Sequence, residues 1–158
     1  MRVIGIDPGF ERTGFAVLEM RGGKTELLDC GRIFTDKKYP FSHRLTLLAA
    51  DIRTLLKQWK PQAAGCEQIF FSKNVKTAMK VSHARGVILE ILEEYGVPVQ
   101  EFNPGSVKSA VTGDSRADKK QIQKMLQYLL KVNLKSDDAT DAIACGICLL
   151  SSLRTTSA

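Results

Sequence analysis

The chain has 158 residues, of which 44% are hydrophobic and 25% charged, and a formal net charge of +6. That length suits one domain able to bury a core without disulfides, 1–158 as a single unit. No apolar run approaches the roughly 20 residues of a membrane span and no charged leader precedes an apolar core, so the composition argues against a membrane or secreted protein and sets a cytoplasmic one as the expectation.

Taken in chain order, Arg2–Asp7 reads as a strand ending on a carboxylate, with the turn Pro8-Gly9 after it. Thr13–Met20 and Thr25–Thr35 read as two more strands across the turn Arg21-Gly22-Gly23-Lys24. After Tyr39-Pro40-Phe41-Ser42 comes a helix whose Leu45, Leu48, Ile52, Leu55, Leu56 and Trp59 recur at three and four residues as one apolar stripe, stopped by Pro61. Ala63–Ile69 reads as a fourth strand, with Glu67 near its end. Ser72-Lys73-Asn74 offers a cap for a helix running to about Tyr95. Pro98–Phe102 is a fifth strand. Ser106–Val111, the polar loop Gly113–Arg116, a helix over about Asp118–Leu130 and a last helix over about Asp137–Leu150 follow, with 151–158 as a frayed tail. Strands alternating with helices in the second half imply parallel pairing added to an antiparallel meander, an α/β fold.

Four carboxylates stand where strands end or a helix begins: Asp7, Glu67, Asp138 and Asp141. Acids at the ends of buried strands are costly unless compensated. A divalent cation compensates several together, and hard oxygen donors with no His or Cys beside them suit Mg²⁺ or Mn²⁺. Open α/β sheets place their sites at the carboxyl ends of strands, where Asp7 and Glu67 would meet. Asp138 and Asp141, three apart, share a helix face. Asp137 and Asp141, four apart, do so almost as well, and spacing does not choose between them. Each acid alone has a structural reading, as a helix cap or a turn residue; their joint placement points to a metal site. The basic excess over the rest of the chain points to a polyanion. Cys145-Gly-Ile-Cys148 has CxxC spacing but lies inside an apolar helix with no second pair and no nearby His, so it reads as small buried residues.

Ile4-Gly5-Ile6-Asp7-Pro8-Gly9 with Thr13-Gly14, Glu67-Gln68-Ile69-Phe70 with Lys73-Asn74, Ala84-Arg85-Gly86, and Asp138-Ala139-Thr140-Asp141-Ala142-Ile143-Ala144 together resemble the RuvC family, the Holliday-junction resolvases of the ribonuclease H-like fold. The resemblance runs in order over nearly the whole chain. It implies a five-stranded mixed sheet, three antiparallel strands then two parallel ones, flanked by helices. It implies two Mg²⁺ ions held by Asp7, Glu67, Asp138 and Asp141, with Mn²⁺ as a substitute, and favours Asp138 over Asp137. Lys119 aligns with a family lysine beside the active site and Lys108 with one that contacts DNA.

Phe70 takes the family's base-stacking position, with Phe71 beside it. Lys73, Lys76 and Lys80 recur along one helix face that can follow a phosphate backbone. The loop Gly113–Arg116 departs from the family where Ser115 stands in place of a frequent Gly and is followed by Arg116, more charged than the family's usual residue; Arg116 is a candidate DNA contact. The implied function is Mg²⁺-dependent cutting of four-way DNA junctions by paired symmetric nicks, in recombination and repair. A C2 homodimer matches the junction's symmetry; the face of Met79, Ile88 and Leu92 is a candidate interface and would serve equally to pack the helix on its own sheet, and a branch-migration motor complex is a further candidate partner. The rivals are a ribonuclease H-like nuclease acting on less specific branched DNA or RNA–DNA hybrid, a non-catalytic junction-binding protein, and an actin-like ATPase. The chain is too short for that ATPase's second subdomain.

Overall fold

A computed structural model describes residues 1–68, 75–134 and 139–156. Ten elements follow in the order β1 (Arg2–Asp7), β2 (Arg12–Arg21), β3 (Lys24–Phe34), α1 (Phe41–Trp59), β4 (Ala63–Glu67), α2 (Val75–Glu94), β5 (Val99–Phe102), α3 (Pro104–Thr112), α4 (Lys119–Leu130) and α5 (Thr140–Thr156). The strands form one sheet in the order β3-β2-β1-β4-β5. β1 and β3 pair with β2 antiparallel, and β1–β4 and β4–β5 are parallel. This is the mixed sheet that the sequence predicts.

Alternation along the strands sorts the core into two layers. Val3, Ala16, Leu18 and Ala63 face α3, α4 and α5. Ile4, Ile6, Val17 and Ala64 face α1 and α2. β1 is buried on both faces, which is why its sequence is an unbroken apolar run.

The last helix lies unusually close to the sheet. A Cβ on Gly5 would stand 2.0 Å from the Ala142 carbonyl oxygen and 2.6 Å from the Gly146 nitrogen, and one on Gly65 2.8 Å from the Cys145 carbonyl oxygen. Glycines in the middle of β1 and β4 cut a trough into which the backbone of α5 fits. The CxxC cysteines lie in this contact, both buried, as small residues with no disulfide.

Several boundaries and faces differ from the sequence reading. α5 runs on to Thr156 where a frayed tail is expected, and Arg154 donates to the Gly23 carbonyl at 2.9 Å, tying that end to the β2–β3 turn. α3 starts at Pro104 rather than Ser106, because Asn103 accepts from the Ser106 N–H and Pro104 suits the first helical turn. α1 buries Arg44 on its packed side; the guanidinium donates to the Thr35 carbonyl at 2.8 Å and stacks 3.8 Å from the Phe10 ring centre. α4 begins as expected, because Asp118 and Gln121 form a capping box.

Candidate active site

Parity and strand ends assemble the site. Asp7 is two residues beyond Gly5, and Glu67 two beyond Gly65, so both carboxylates project on the α5 side of the sheet. β1 and β4 are parallel neighbours, so their carboxyl ends lie side by side. The Gln68 N–H donates to the Phe102 carbonyl at 2.8 Å and ties the end of β4 to β5. Asp141 sits in the first turn of α5, one residue before Ala142, whose carbonyl packs against Gly5. The glycine trough therefore carries a third carboxylate to the same edge.

Electrostatics record the meeting. The Glu67 carboxyl is raised above its ordinary value, by burial first and by the Asp141 charge second, with Lys108 pulling it back. The Glu67 and Asp7 charges also reach the Cys145 thiol beneath them, which burial and these acids push up. Lys119 Nζ lies 3.5 Å from Asp141 Oδ2. Lys108 from α3 and Lys119 from α4 are thus the cations whose charge reaches these acids.

Among the described residues no group of three His, Cys, Asp or Glu side chains stands close enough to hold a metal ion by itself. Asp138, the fourth expected ligand, and Asp137, its rival, lie outside the described residues, as do Phe70, Phe71 and Lys73. The residues present fit a hard divalent cation. The donors are oxygens from three separate elements, and both burial and Asp141 work against the charge on Glu67, a cost a cation here would remove.

The other expected contact residues are dispersed. Lys76 and Lys80 are exposed on α2, with the Lys80 ammonium 5.2 Å from the Phe10 ring centre. Arg116 points to solvent, paired with Asp114 at 3.6 Å, and its N–H is held by the Asp114 carboxylate at 2.8 Å. On the proposed interface helix, Ile88 and Leu92 are fully buried against the sheet, so they are core residues. Met79 is exposed, at 57%. A helix packed on a sheet must bury its long apolar stripe, and that stripe runs through 88 and 92.

Sequence reasoning gave no role to Phe10, Arg44 or the Arg85–Glu101 ion pair. Phe10 had a usable signal, an aromatic three residues after a strand-end acid. Arg44 had none, because a basic residue near a helix start normally points outward.

A family model described as crossover junction endodeoxyribonuclease RuvC matches residues 3–149. A crossover junction endodeoxyribonuclease RuvC of Petrotoga mobilis is 43% identical over 150 residues, covering 94% of this chain and 92% of the relative. One of Roseiflexus is 44% identical over 149 residues, covering 93% and 89%. Among solved structures, T. thermophilus RuvC in complex with a Holliday junction substrate superposes with a TM-score of 0.93 at 30% identity, over 99% of this chain and 96% of that one. The yeast mitochondrial Holliday junction resolvase, at 16% identity and a TM-score of 0.70 over 97% and 80%, shares the fold.

Proposed function

The chain belongs to the RuvC family of crossover junction endodeoxyribonucleases, and from that premise we propose that it resolves four-way DNA junctions by paired symmetric nicks, as a Mg²⁺-dependent homodimer in the cytoplasm. The observation that carries this reading is the convergence of Asp7, Glu67 and Asp141 at one edge of the sheet with Lys108 and Lys119 beside them. A purely structural acidic cluster would not need two cations from separate helices aimed at it.

Asp7, Glu67, Asp138 and Asp141 would hold two Mg²⁺ ions, with Mn²⁺ able to replace them. When bound, such a pair supplies a water of lowered pKa and a Lewis acid for the leaving oxygen. Lys119, ion-paired to Asp141, holds a positive charge at the rim, where a scissile phosphate gains negative charge. Lys108 offsets the negative field on Glu67. Phe70 is the residue we assign to stacking at the junction centre, with Phe71 its alternative, and Lys73, Lys76, Lys80 and Arg116 to the backbone. Val75 and Met79, both largely exposed on the first turns of α2, are the apolar part of the proposed dimer surface. No helix among the described residues is long and apolar enough to cross a membrane.

The test is Mg²⁺-dependent cutting of a mobile four-way junction with mapped nicks, against a flap and an RNA–DNA hybrid. Symmetric nicks in the junction alone support the reading. Equal cutting of the flap or hybrid gives the chain to the less specific nuclease reading, and tight junction binding with no cutting makes it a binding protein.

The α2 lysines give a second expectation. Each lysine–phosphate contact on duplex DNA releases counterions, with a slope of about −0.9 in log K against log salt. Lys76→Ala with Lys80→Ala should flatten the salt dependence of junction binding by close to ~2 such contacts. An unchanged slope in a salt titration would remove this helix face from the DNA path.

A further inference from the structure

Ala84-Arg85-Gly86 belongs to the family pattern, yet nothing in the site described above uses it. Arg85 lies on α2, on the face of the sheet opposite the carboxylates. Its side chain is only 15% exposed, and its Nη2 pairs with Glu101 Oε1. Its Nε is buried with no hydrogen-bond partner. Glu101 is the register partner of Cys66, the residue just before Glu67. The Arg85 guanidinium also reaches the Cys66 thiol, lowering its pKa, although burial wins and pushes it up to about 12. The Cys66 Sγ in turn lies 3.6 Å from the Glu67 carbonyl oxygen, toward which it donates.

One largely buried cation therefore links β4 and β5, each one residue short of its last. Keeping a charge there with an unsatisfied Nε is expensive. An apolar residue would join α2 to the sheet as well or better. What an apolar residue cannot do is fix the relative position of two strand ends, and lysine lacks the planar fork for two partners. The strand ends so fixed are those that set where Glu67 points.

We propose that Arg85 is a positioning residue for the metal site: by bridging Glu101 and Cys66 it locks the carboxyl ends of β4 and β5, so that the Glu67 carboxylate is held in ligating register with Asp7 and Asp141. This rests on the metal-dependent nuclease reading. It makes Arg85 act through Glu67, from behind the sheet, without touching substrate or metal.

Arg85→Lys and Glu101→Gln test it. Glu101 is partly exposed and its change keeps the guanidinium, so it serves if Arg85→Lys does not fold. Mn²⁺ affinity of the DNA-free protein is read by electron paramagnetic resonance, the Mg²⁺ midpoint by junction cutting, and junction affinity in Ca²⁺. Mn²⁺ affinity should fall ~10-fold or more, in the range seen when a ligand's supporting partner is lost. The Mg²⁺ midpoint should rise in step, cutting at saturating Mg²⁺ should largely recover, and junction affinity should stay at the wild-type value. Variants that melt earlier but keep wild-type Mn²⁺ affinity and Mg²⁺ midpoint would overturn the proposal and leave Arg85 a structural ion pair. A wild type that binds no Mn²⁺ would instead sink the metal-site reading on which the proposal stands.

Discussion

Glu67→Gln is expected to abolish junction cutting, by roughly 10³-fold or more, equivalent to about 4 kcal/mol of transition-state stabilisation, while junction binding persists. The substitution keeps the shape of a side chain at the end of β4 and removes one charge from the acidic edge. On the proposed reading, binding draws chiefly on the α2 lysines, which the change does not touch. The same variant has a second signature in its stability. The Glu67 carboxyl is raised in the fold, first by burial, then by Asp141, against Lys108. The folded state thus holds this proton more tightly than the unfolded chain. The contribution to stability is full below the unfolded value of about 4.3 and is lost as pH rises through the raised folded value. At neutral pH the ionised Glu67 works against folding, so in EDTA the variant should melt higher than the wild type, and the gap should close in acid. Added Mg²⁺ should reverse the order, because only the intact site gains binding linkage, ~2.7 kcal/mol at a hundredfold excess over Kd. Near-normal nicking by the variant would remove Glu67 from the mechanism, and a melting temperature unmoved by Mg²⁺ in the wild type would remove the metal.

The second large effect is expected at Gly5, a residue with no reacting group of its own. A methyl group there would collide with the backbone of α5 at Ala142 and Gly146. Neither contact is the end of a side chain that can swing away, so strand and helix must part. Overpacking of this kind costs about 1–3 kcal/mol and sometimes more, out of a typical total of roughly 5–15. Gly5→Ala should therefore lower the urea midpoint sharply. Where it still folds, it should cut slowly even at a temperature where it is fully native, because lifting α5 carries Asp141 away from Glu67. Gly146→Ala is the comparison. Its Cβ would meet chiefly Leu18 Cδ1, at 2.1 Å, a methyl on a rotatable side chain, so the loss should be smaller. Equal losses, or none at Gly5, would show that the helix has room to adjust and that the trough does not set the site.

Most of the fold could be read from the residues in order. β1 declares itself by an unbroken apolar run, the β2–β3 hairpin by Gly22-Gly23, and α1 by its stripe. α4 declares itself by the Asp118 capping box. These are local signals, in which the residues that make the interaction are neighbours in sequence. α2 shows the limit. Its apolar face was visible, but whether it met a sheet or a second subunit was not, because both burials demand the same periodicity. The environments of Arg44 and Arg85 were not legible, since what a guanidinium packs against depends on partners far along the chain, Thr35 and Phe10 for one, Glu101 for the other.

The acids of the site divide in the same way. That Asp7 and Glu67 end strands, and that Asp141 opens a helix, was written in the sequence, because strand ends and helix starts are local. That these ends are adjacent was decided by the parallel pairing of β1 with β4, a contact spanning some sixty residues. That Asp141 joins them was decided by the close seating of α5 on Gly5 and Gly65. The sequence by itself determined which groups carry the charge and on which face of its own element each one lies. Only the tertiary structure decided that they share one edge, because strand register and layer spacing arise from packing between distant segments and leave no mark at any single position.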